Sequence, residues 1–239
     1  MNDAVVLLNV ADGVATITLN RPDTHNAFDE HVIAALTGKL DVLHLDKSVR
    51  VLVLRGAGKS FSAGADLNWM KRAAGFTEDQ NKADALALAG MLNKLYTLPL
   101  LTIACVQGAA MGGGLGLVSC CDIVIADQDA LFALSEVKLG LIPATIAPYV
   151  LRAMGERQAR RYFQTGERFK GKTAHTMGFV HEVVSGTEAM DARLIEILKS
   201  VASNGPNAMK DAKKLCLDLA GQDITPALMD DTAARIART

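Results

Sequence analysis

One glutamate and two glycine-containing turns carry the chemistry that this sequence can do. Glu136 lies in FALSEVKLGLIP (residues 132–143), an otherwise apolar stretch, at the start of a short helix between a strand and Pro143. A carboxylate among apolar side chains is either a helix-start charge or an acid/base whose proton affinity burial has raised. The turns are SFSAGADLNWM (residues 60–70) and GAAMGGGLGL (residues 108–117), each directly after an apolar strand and each running into a helix. Small residues let a ligand approach the backbone, and a helix start carries N–H groups without partners. Two such turns side by side can aim two donors at one carbonyl oxygen as it gains negative charge, worth about 3–4 kcal/mol per donor. The same glycines also suit close packing of helix on sheet, and the turns alone leave both readings open.

Other chemistries fail on spacing. GAGKS (residues 56–60) has the tail of a phosphate loop, but the glycine required five residues before Gly58 is Val53, inside a strand. The glycines at 112–116 lack the spaced third glycine of a dinucleotide fingerprint. There is no GxSxG elbow, and His25, His31, His44, His175 and His181 are scattered with no metal-ligand spacing. No metal site is expected.

These motifs sit in a chain of 239 residues, 50% hydrophobic, with 25 basic and 26 acidic side chains and a net charge of −1. Such a composition excludes disorder, because enough apolar surface exists to offset chain entropy. The balanced charge, with no basic run, argues against a nucleic-acid surface. Cys105, Cys120, Cys121 and Cys216 show neither CxxC nor zinc spacing and read as small hydrophobes in a reducing compartment. The N-terminal MNDAVVLLNV has an early Asp3 and no basic region, so it makes a poor leader. Residues 95–121 contain no charge, yet Pro99, Gln107 and five glycines mark them as buried strand, loop and helix rather than a membrane span. The expectation is a cytoplasmic protein with no membrane partner.

Two β-branched runs, residues 5–10 and 14–19, flank Ala11-Asp12-Gly13 as a hairpin. Asp29 caps a helix through Leu36, Leu40 and Leu43; strands follow at 49–54, 100–106, 121–126 and 130–134, with a helix at 80–96. From 156 the pattern is helical (156–164, 188–202, 206–220, 226–238), interrupted by a strand at 179–184. Continuous apolar strands alternating with helices predict an α/β protein whose sheet is covered on both faces.

In combination, LNRPDTHNAF, FSAGADL, GAAMGGGLGL, CDIVIA, SEVKLGLIP and GERQARRYFQTGERFKGKTAHTMGFVHEVV resemble the crotonase superfamily, the enoyl-CoA hydratase/isomerase group, over nearly the whole chain. The resemblance implies a spiral core of repeated ββα units over residues 1–184 and a helical C-terminal trimerisation region over 185–239. It also implies an acyl-CoA thioester substrate, a homotrimer or homohexamer, and no cofactor, CoA being part of the substrate. Carried over by position, the oxyanion-hole N–H groups are those of Ala65 and Gly113, and Glu136 moves a proton at C2. The carbonyl of Ala63 faces the adenine, and His25 and Ala27 lie along the CoA path. Leu67 and Met70 line the acyl pocket, Ala144 offers an N–H to the reacting water, and Asp66, Gly112 and Gly116 complete the substrate-binding set.

The sequence departs from the family at three places. Two-acid hydratases carry a second glutamate where this chain has Gly116, and Ser119 and Cys120 one turn on are not equivalent acids. ATIAPYVL follows Pro143 where many relatives have a glycine-rich run, and the chain ends at DDTAARIART where relatives usually continue through another helix. ADLNWMK, GGGLGL and SEVKLGLIPATIAPYV together look like the bacterial methylglutaconyl-CoA hydratase branch of leucine breakdown. The expected function is therefore hydration of a branched 2-enoyl-CoA by a single glutamate. A single glutamate equally suits a Δ3,Δ2-enoyl-CoA isomerase, and a non-catalytic CoA-thioester or RNA binder is the further alternative. Lys59, Lys71 and Arg72 are the cations near the relevant turn for a distal carboxylate; Trp69 reads as packing and Asp122 as structural.

Overall fold

The computed structural model describes residues 4–238; Met1, Asn2 and Asp3, part of the stretch read above as no leader, and Thr239 lie outside the described residues. The chain runs β1 (Val6–Ala11), β2 (Val14–Leu19), α1 (Glu30–Leu45), β3 (Val51–Gly56), α2 (Leu67–Ala73), α3 (Glu78–Tyr96), β4 (Leu101–Val106), β5 (Ala109–Met111) and α4 (Gly113–Ser119). It continues through β6 (Ile123–Asp127), β7 (Leu131–Ala133), α5 (Ala147–Met154), α6 (Glu156–Thr165), β8 (Phe169–Lys170), α7 (Gly171–Thr176), β9 (Glu182–Val184), α8 (Gly186–Ala202), α9 (Pro206–Leu219) and α10 (Pro226–Ile236). Asp12 and Gly13 both have positive φ, at 51° and 76°, which gives the β1–β2 hairpin a turn whose twist matches its strands.

Six strands form the main sheet in the order β1-β2-β3-β4-β6-β9, parallel from β2 onward. Parallel neighbours need crossovers, and those after β4 and β6 hold the short strands of a second sheet, ordered β5-β7-β8. Thus β4 is followed by β5 and α4, and β6 by β7 and α5. In the turn after β3 the second strand shrinks to one bridge, Ser62 to Ala110. Three ββα turns therefore wind in the same sense, and the fold is the α/β spiral that the motifs imply.

The central strands are buried on both faces because their side chains alternate between two cores. Leu52, Leu54, Ala104, Val106, Val124 and Ala126 join the large core under α1, α3 and α4. Val51, Val53, Ile103, Cys105 and Ile125 meet Met190, Leu194 and Ile197 of α8 on the other face. Helix α8, within the region read above as C-terminal, thus packs on the sheet itself. Helix α9 is tied down by Lys213, whose Nζ reaches Asp122 at 2.8 Å, while the same Asp122 oxygen accepts the Thr102 N–H and hydroxyl at 2.9 Å. That is the structural role read for Asp122. Neither α9 nor α10 contains a buried residue.

Residues 95–121 are the end of α3, then β4, β5 and α4; among the described residues no helix is long and apolar enough to cross a membrane. Burial pushes the Cys105 thiol up to about 11 and raises Cys120 and Cys121 as well, so these three stay protonated at neutral pH.

Candidate active site

The small sheet brings the two glycine turns and Glu136 together. Strand β5 pairs with β7, Met111 opposite Ala133, and the Gly112 N–H donates to the Ala133 carbonyl at 2.9 Å. This sets the residue before α4 against the last residue of β7, and Glu136 follows three residues on in the 3-10 turn Glu136–Leu139. The other turn is laid beside it by the Ser62–Ala110 bridge, with Met111 N–H donating to Ser62 at 2.9 Å. Close approach of the two turns requires glycine at 64: its φ is +88°, and a Cβ there would stand 2.8 Å from the Met111 carbonyl oxygen.

Ala65 and Gly113 meet across this junction. Phe28 bridges to Ala65 by donating to the Gly64 carbonyl and accepting from the Asp66 N–H, both at 2.7 Å, so the Ala65 N–H takes no part in the pair. Gly113 is the first residue of α4, where an N–H has no intrahelical acceptor. Neither N–H has a hydrogen-bond partner among the described residues. Both residues line one cavity of about 150 Å³ together with Glu136. Two open donors and a carboxylate around one small cavity can hold a carbonyl oxygen and move a proton next to it.

The remaining walls are largely apolar: Phe28, Trp69, Leu88, Ile142 and Ile146. Glu136 Oε2 is buried and, among the described residues, is the buried side-chain oxygen with no hydrogen-bond partner. Burial raises the Glu136 pKa, opposed by the residue's own backbone N–H. The other oxygen, Oε1, lies over Gly112, where an added Cβ would be 3.0 Å from it. Gly112 also has φ +47° and ψ −117°, a conformation that only glycine adopts without strain.

The Gly116 position is closed. A Cβ there would come within 2.4 Å of Ile146 Cγ2, so the volume a second carboxylate would need is filled by an isoleucine. Gly116 is buried inside α4 rather than exposed to the cavity, correcting its place in the substrate set. Gly112 lies beside Glu136 and directly before Gly113 and is likewise not a wall of the cavity.

Four further readings change. The Asp66 carboxylate is fully used: Oδ1 accepts the N–H groups of Asn68 and Trp69 and caps α2, and Oδ2 pairs with Arg21 at 3.0 Å. It holds the turn that carries Ala65 and is not open to a ligand. The Ala144 N–H donates to the Ile142 carbonyl at 2.9 Å, so Ala144 lines the cavity without offering that donor to a water. Leu67 is 70% exposed, and neither it nor Met70 lines the cavity; Trp69 does, while also packing against the main core as read for it. The capping of α2 by Asp66 sets this rotation, because residues 67 and 69 lie about 200° apart around a helix. Arg72 is engaged by Glu30 through two contacts at 2.7 and 2.9 Å.

Ala63, His25 and Ala27, expected along the CoA path, lie outside the cavity. Ala63 is exposed, and its N–H donates to the His25 carbonyl at 2.9 Å, while its own carbonyl is unbonded among the described residues. His25 has φ +52° and sets Nδ1 3.1 Å from Ser60 Oγ. Ala27 is buried, with its carbonyl accepting from Arg21 at 2.7 Å.

Arg21 and Asn26, both within LNRPDTHNAF but unassigned by the sequence reading, hold this corner. Arg21 spans Asp29 at 3.1 Å and Asp66 at 3.0 Å, and so joins the caps of α1 and α2. Asn26 is buried; its side chain donates to the carbonyls of Ala57 and Ser60 and accepts the Arg21 N–H. Burial pushes the Asp66 carboxyl up, but the Asn68 and Trp69 N–H groups and the Arg21 guanidinium together bring it below its usual range. The stability this gives is present above the ordinary aspartate pKa and is lost as pH falls through the lowered value. Replacing Arg21→Met is expected to cost about 2 kcal/mol in urea unfolding at neutral pH, since two carboxylates lose a shared partner. A cost below about 0.5 kcal/mol, the range of an exposed ion pair, would show that Arg21 does not hold the corner.

Among the described residues no cluster of His, Cys, Asp or Glu has the make-up of a metal centre. The family model for enoyl-CoA hydratase/isomerase matches residues 9–227. An enoyl-CoA hydratase structure from Shewanella pealeana is 44% identical, superposes with a TM-score of 0.95, and the match covers 98% of this chain and 87% of that one. The Pseudomonas aeruginosa AtuE structure is 38% identical at a TM-score of 0.94, covering 98% of this chain and 90% of that one. A hydroxycinnamoyl-CoA hydratase-lyase from Pseudomonas fluorescens is 32% identical over 222 residues, which is 90% of this chain and 79% of the relative. With its spiral of ββα units, a family model matched over most of its length and relatives of this similarity, the chain belongs to the enoyl-CoA hydratase/isomerase family of the crotonase superfamily.

Proposed function

We propose that the protein hydrates a branched 2-enoyl-CoA to the 3-hydroxyacyl-CoA, with Glu136 as the only carboxylate in the reaction. The observation that carries this reading is the shared cavity: Ala65, Gly113 and Glu136 border the same 150 Å³. The thioester oxygen lies between the Ala65 and Gly113 N–H groups. A water adds its oxygen to C3 and passes a proton to the Glu136 carboxylate, while the C2–C3 electron pair moves onto C2 and the thioester oxygen. The enolate then takes that proton from Glu136 at C2, which restores the carboxylate, so the sum is one added water. Donors fixed before the reaction stabilise the enolate without reorganising.

With Ala144 N–H occupied, the water needs another partner, and Thr145 supplies one. Its side chain lines the cavity, and its hydroxyl has no hydrogen-bond partner among the described residues. Besides Glu136, the cavity lining carries the Thr145 hydroxyl and the Trp69 indole N–H, and of these the hydroxyl alone can both donate to and accept from a water. Replacing Thr145→Val is expected to lower kcat for hydration about tenfold or more. Exchange of the C2 hydrogen of the product analogue with deuterated solvent, which needs Glu136 alone, is retained. Equal loss of both would remove Thr145 from the water's path.

One observation favours a second reading. The site has a single carboxylate and a wall of Trp69, Leu88, Ile142 and Ile146, which also suits isomerisation of a 3-enoyl-CoA by one shuttled proton. Product masses separate the two. The hydratase gains one water from 3-methylglutaconyl-CoA or a related branched 2-enoyl-CoA, whereas an isomerase leaves the mass of a 3-enoyl-CoA unchanged and moves its double bond.

The exposed Ala63 carbonyl and the His25 ring support CoA running along that edge. The unburied helices α9 and α10, with Ile224 between them at 86% and Met229 of α10 at 55% exposure, support assembly of copies through the C-terminal region, as a homotrimer or homohexamer. Sedimentation of the purified protein distinguishes these from a monomer.

A further inference from the structure

The catalytic turns leave the C-terminal ends of β3 and β4, and a second cavity, of about 250 Å³, lies at the other end of the main sheet. Residues that precede β4, β6 and β9 line it: Tyr96, Cys121 and His181. Helix α4 joins the two places, with Gly113 at the catalytic cavity and Val118 and Ser119 at this one. No residue lines both. The floor is apolar, with Val118, Val124 and Phe179 all buried. Arg152 and His181 stand exposed at the rim.

The side chains around this cavity hold open donors. His181 is clamped to β6: its N–H donates to the Val124 carbonyl and its Nδ1 accepts the Val124 N–H, both at 3.1 Å. An Nδ1 that accepts leaves the ring proton on Nε2, and Nε2 has no partner among the described residues. The Tyr96 ring is set edge-on to Tyr149 of α5, with centroids 5.2 Å apart, and its hydroxyl is likewise unpartnered among the described residues. Arg152 Nη1 donates to the Pro148 carbonyl at 2.7 Å, and among the described residues no carboxylate pairs with the guanidinium. The acceptors nearby are already used. Ser119 and Cys121 donate back to the Leu115 and Leu117 carbonyls within α4, Asp122 pairs with Lys213, and Glu182 with Arg193. Arg152 lies in the last turn of α5, where a cation complements the helix end. That role alone leaves unexplained the Tyr96 and His181 donors that share its cavity.

We infer that this cavity binds a small organic anion. Its carboxylate or phosphate group is held by the Arg152 guanidinium, the Tyr96 hydroxyl and the His181 Nε2–H, and its carbon body lies against Phe179 and Val124. No carboxylate lines the cavity to repel it, and a guanidinium fork suits either head group.

Calorimetric titration with phenyl phosphate and with benzoate, each against chloride at matched ionic strength, tests the site and tells the two head groups apart. At least one of them is expected to saturate at one molecule per chain. Arg152→Gln and Tyr96→Phe are each expected to weaken it about tenfold or more, the loss of one hydrogen bond to a charged group. His181→Asn is expected to do the same, because its Oδ1 still accepts from the Val124 N–H while the Nε2 donor is gone. Tyr96→Phe keeps the ring packing and carries the test if another variant unfolds. No binding beyond that of chloride overturns the site. So does weakening by Arg152→Gln alone, which is ion pairing at one exposed guanidinium. Saturating butyryl-CoA is expected to leave the affinity unchanged; competition would move the anion to the catalytic cavity and overturn the site as well.

Discussion

Replacing Glu136→Gln is expected to lower kcat by about 10²–10⁴-fold, the range that one positioned proton-transfer group supplies, while a saturated acyl-CoA still binds. The expectation follows from the seat of the carboxylate. Among the described residues its Oε2 is buried without a partner, and no second carboxylate borders the cavity to take over. The same burial fixes two further signs. Because burial raises the Glu136 pKa, the acid limb of kcat/KM lies above the ordinary glutamate range and is absent from the residual activity of the glutamine variant. A carboxyl whose pKa is raised on folding costs stability once the pH exceeds its unfolded value, and the cost is complete above the folded one. The glutamine variant should therefore unfold at a higher temperature than the unaltered protein at neutral pH, and at a similar temperature well below the ordinary glutamate pKa. Near-normal turnover in the variant would remove Glu136 from the mechanism.

Replacing Gly112→Ala is expected to be nearly as damaging, although Gly112 does not border the cavity. Its φ of +47° with ψ −117° costs any other residue about 1–3 kcal/mol. Its new methyl would press on Glu136 Oε1 at 3.0 Å. Relaxing either strain turns the peptide that presents the Gly113 N–H, and loss of one such donor costs about 10²–10³-fold in kcat. The expected result is a kcat drop of that order, together with a lower melting temperature. A variant that melts lower but keeps its kcat would show that the α4 start can shift without disturbing the donor.

The candidate site was legible because chemistry concentrates in few side chains. Glu136 stood out as a charge in an apolar run, and the two turns stood out as small residues between strand and helix. The cavity unites Ala65, Gly113 and Glu136 as expected, though their roles rest on the proposed mechanism. The long strands and α1 were also legible, through apolar runs and spacing. Strands β5 and β8, of three and two residues, are too short to show alternation, although the small sheet they form sets the whole site. Helix α5 was missed because Pro148 reads as a break, whereas proline is well tolerated in a first turn. Helix α3 began two residues earlier than expected, since Thr77 and Gln80 form a reciprocal cap.

What sequence could not show was which neighbours compete for each group. Asp66 looks like a site carboxylate until Arg21, 45 residues away, takes one of its oxygens. Ala144 looks like a donor until Ile142 accepts from it. Gly116 marks a missing acid, but only the packing of Ile146 shows that its place is filled. Trp69 and Leu67 are two residues apart, and the capped start of α2 decides which one meets the cavity.

The central claim is that the thioester oxygen is held by two backbone N–H groups while Glu136 faces C2. A crystal structure of the protein with a saturated acyl-CoA tests it directly. The account predicts the thioester oxygen about 2.7–3.1 Å from both the Ala65 and Gly113 nitrogens, with a Glu136 oxygen against C2. A thioester oxygen bound elsewhere, or a C2 turned away from Glu136, would contradict it.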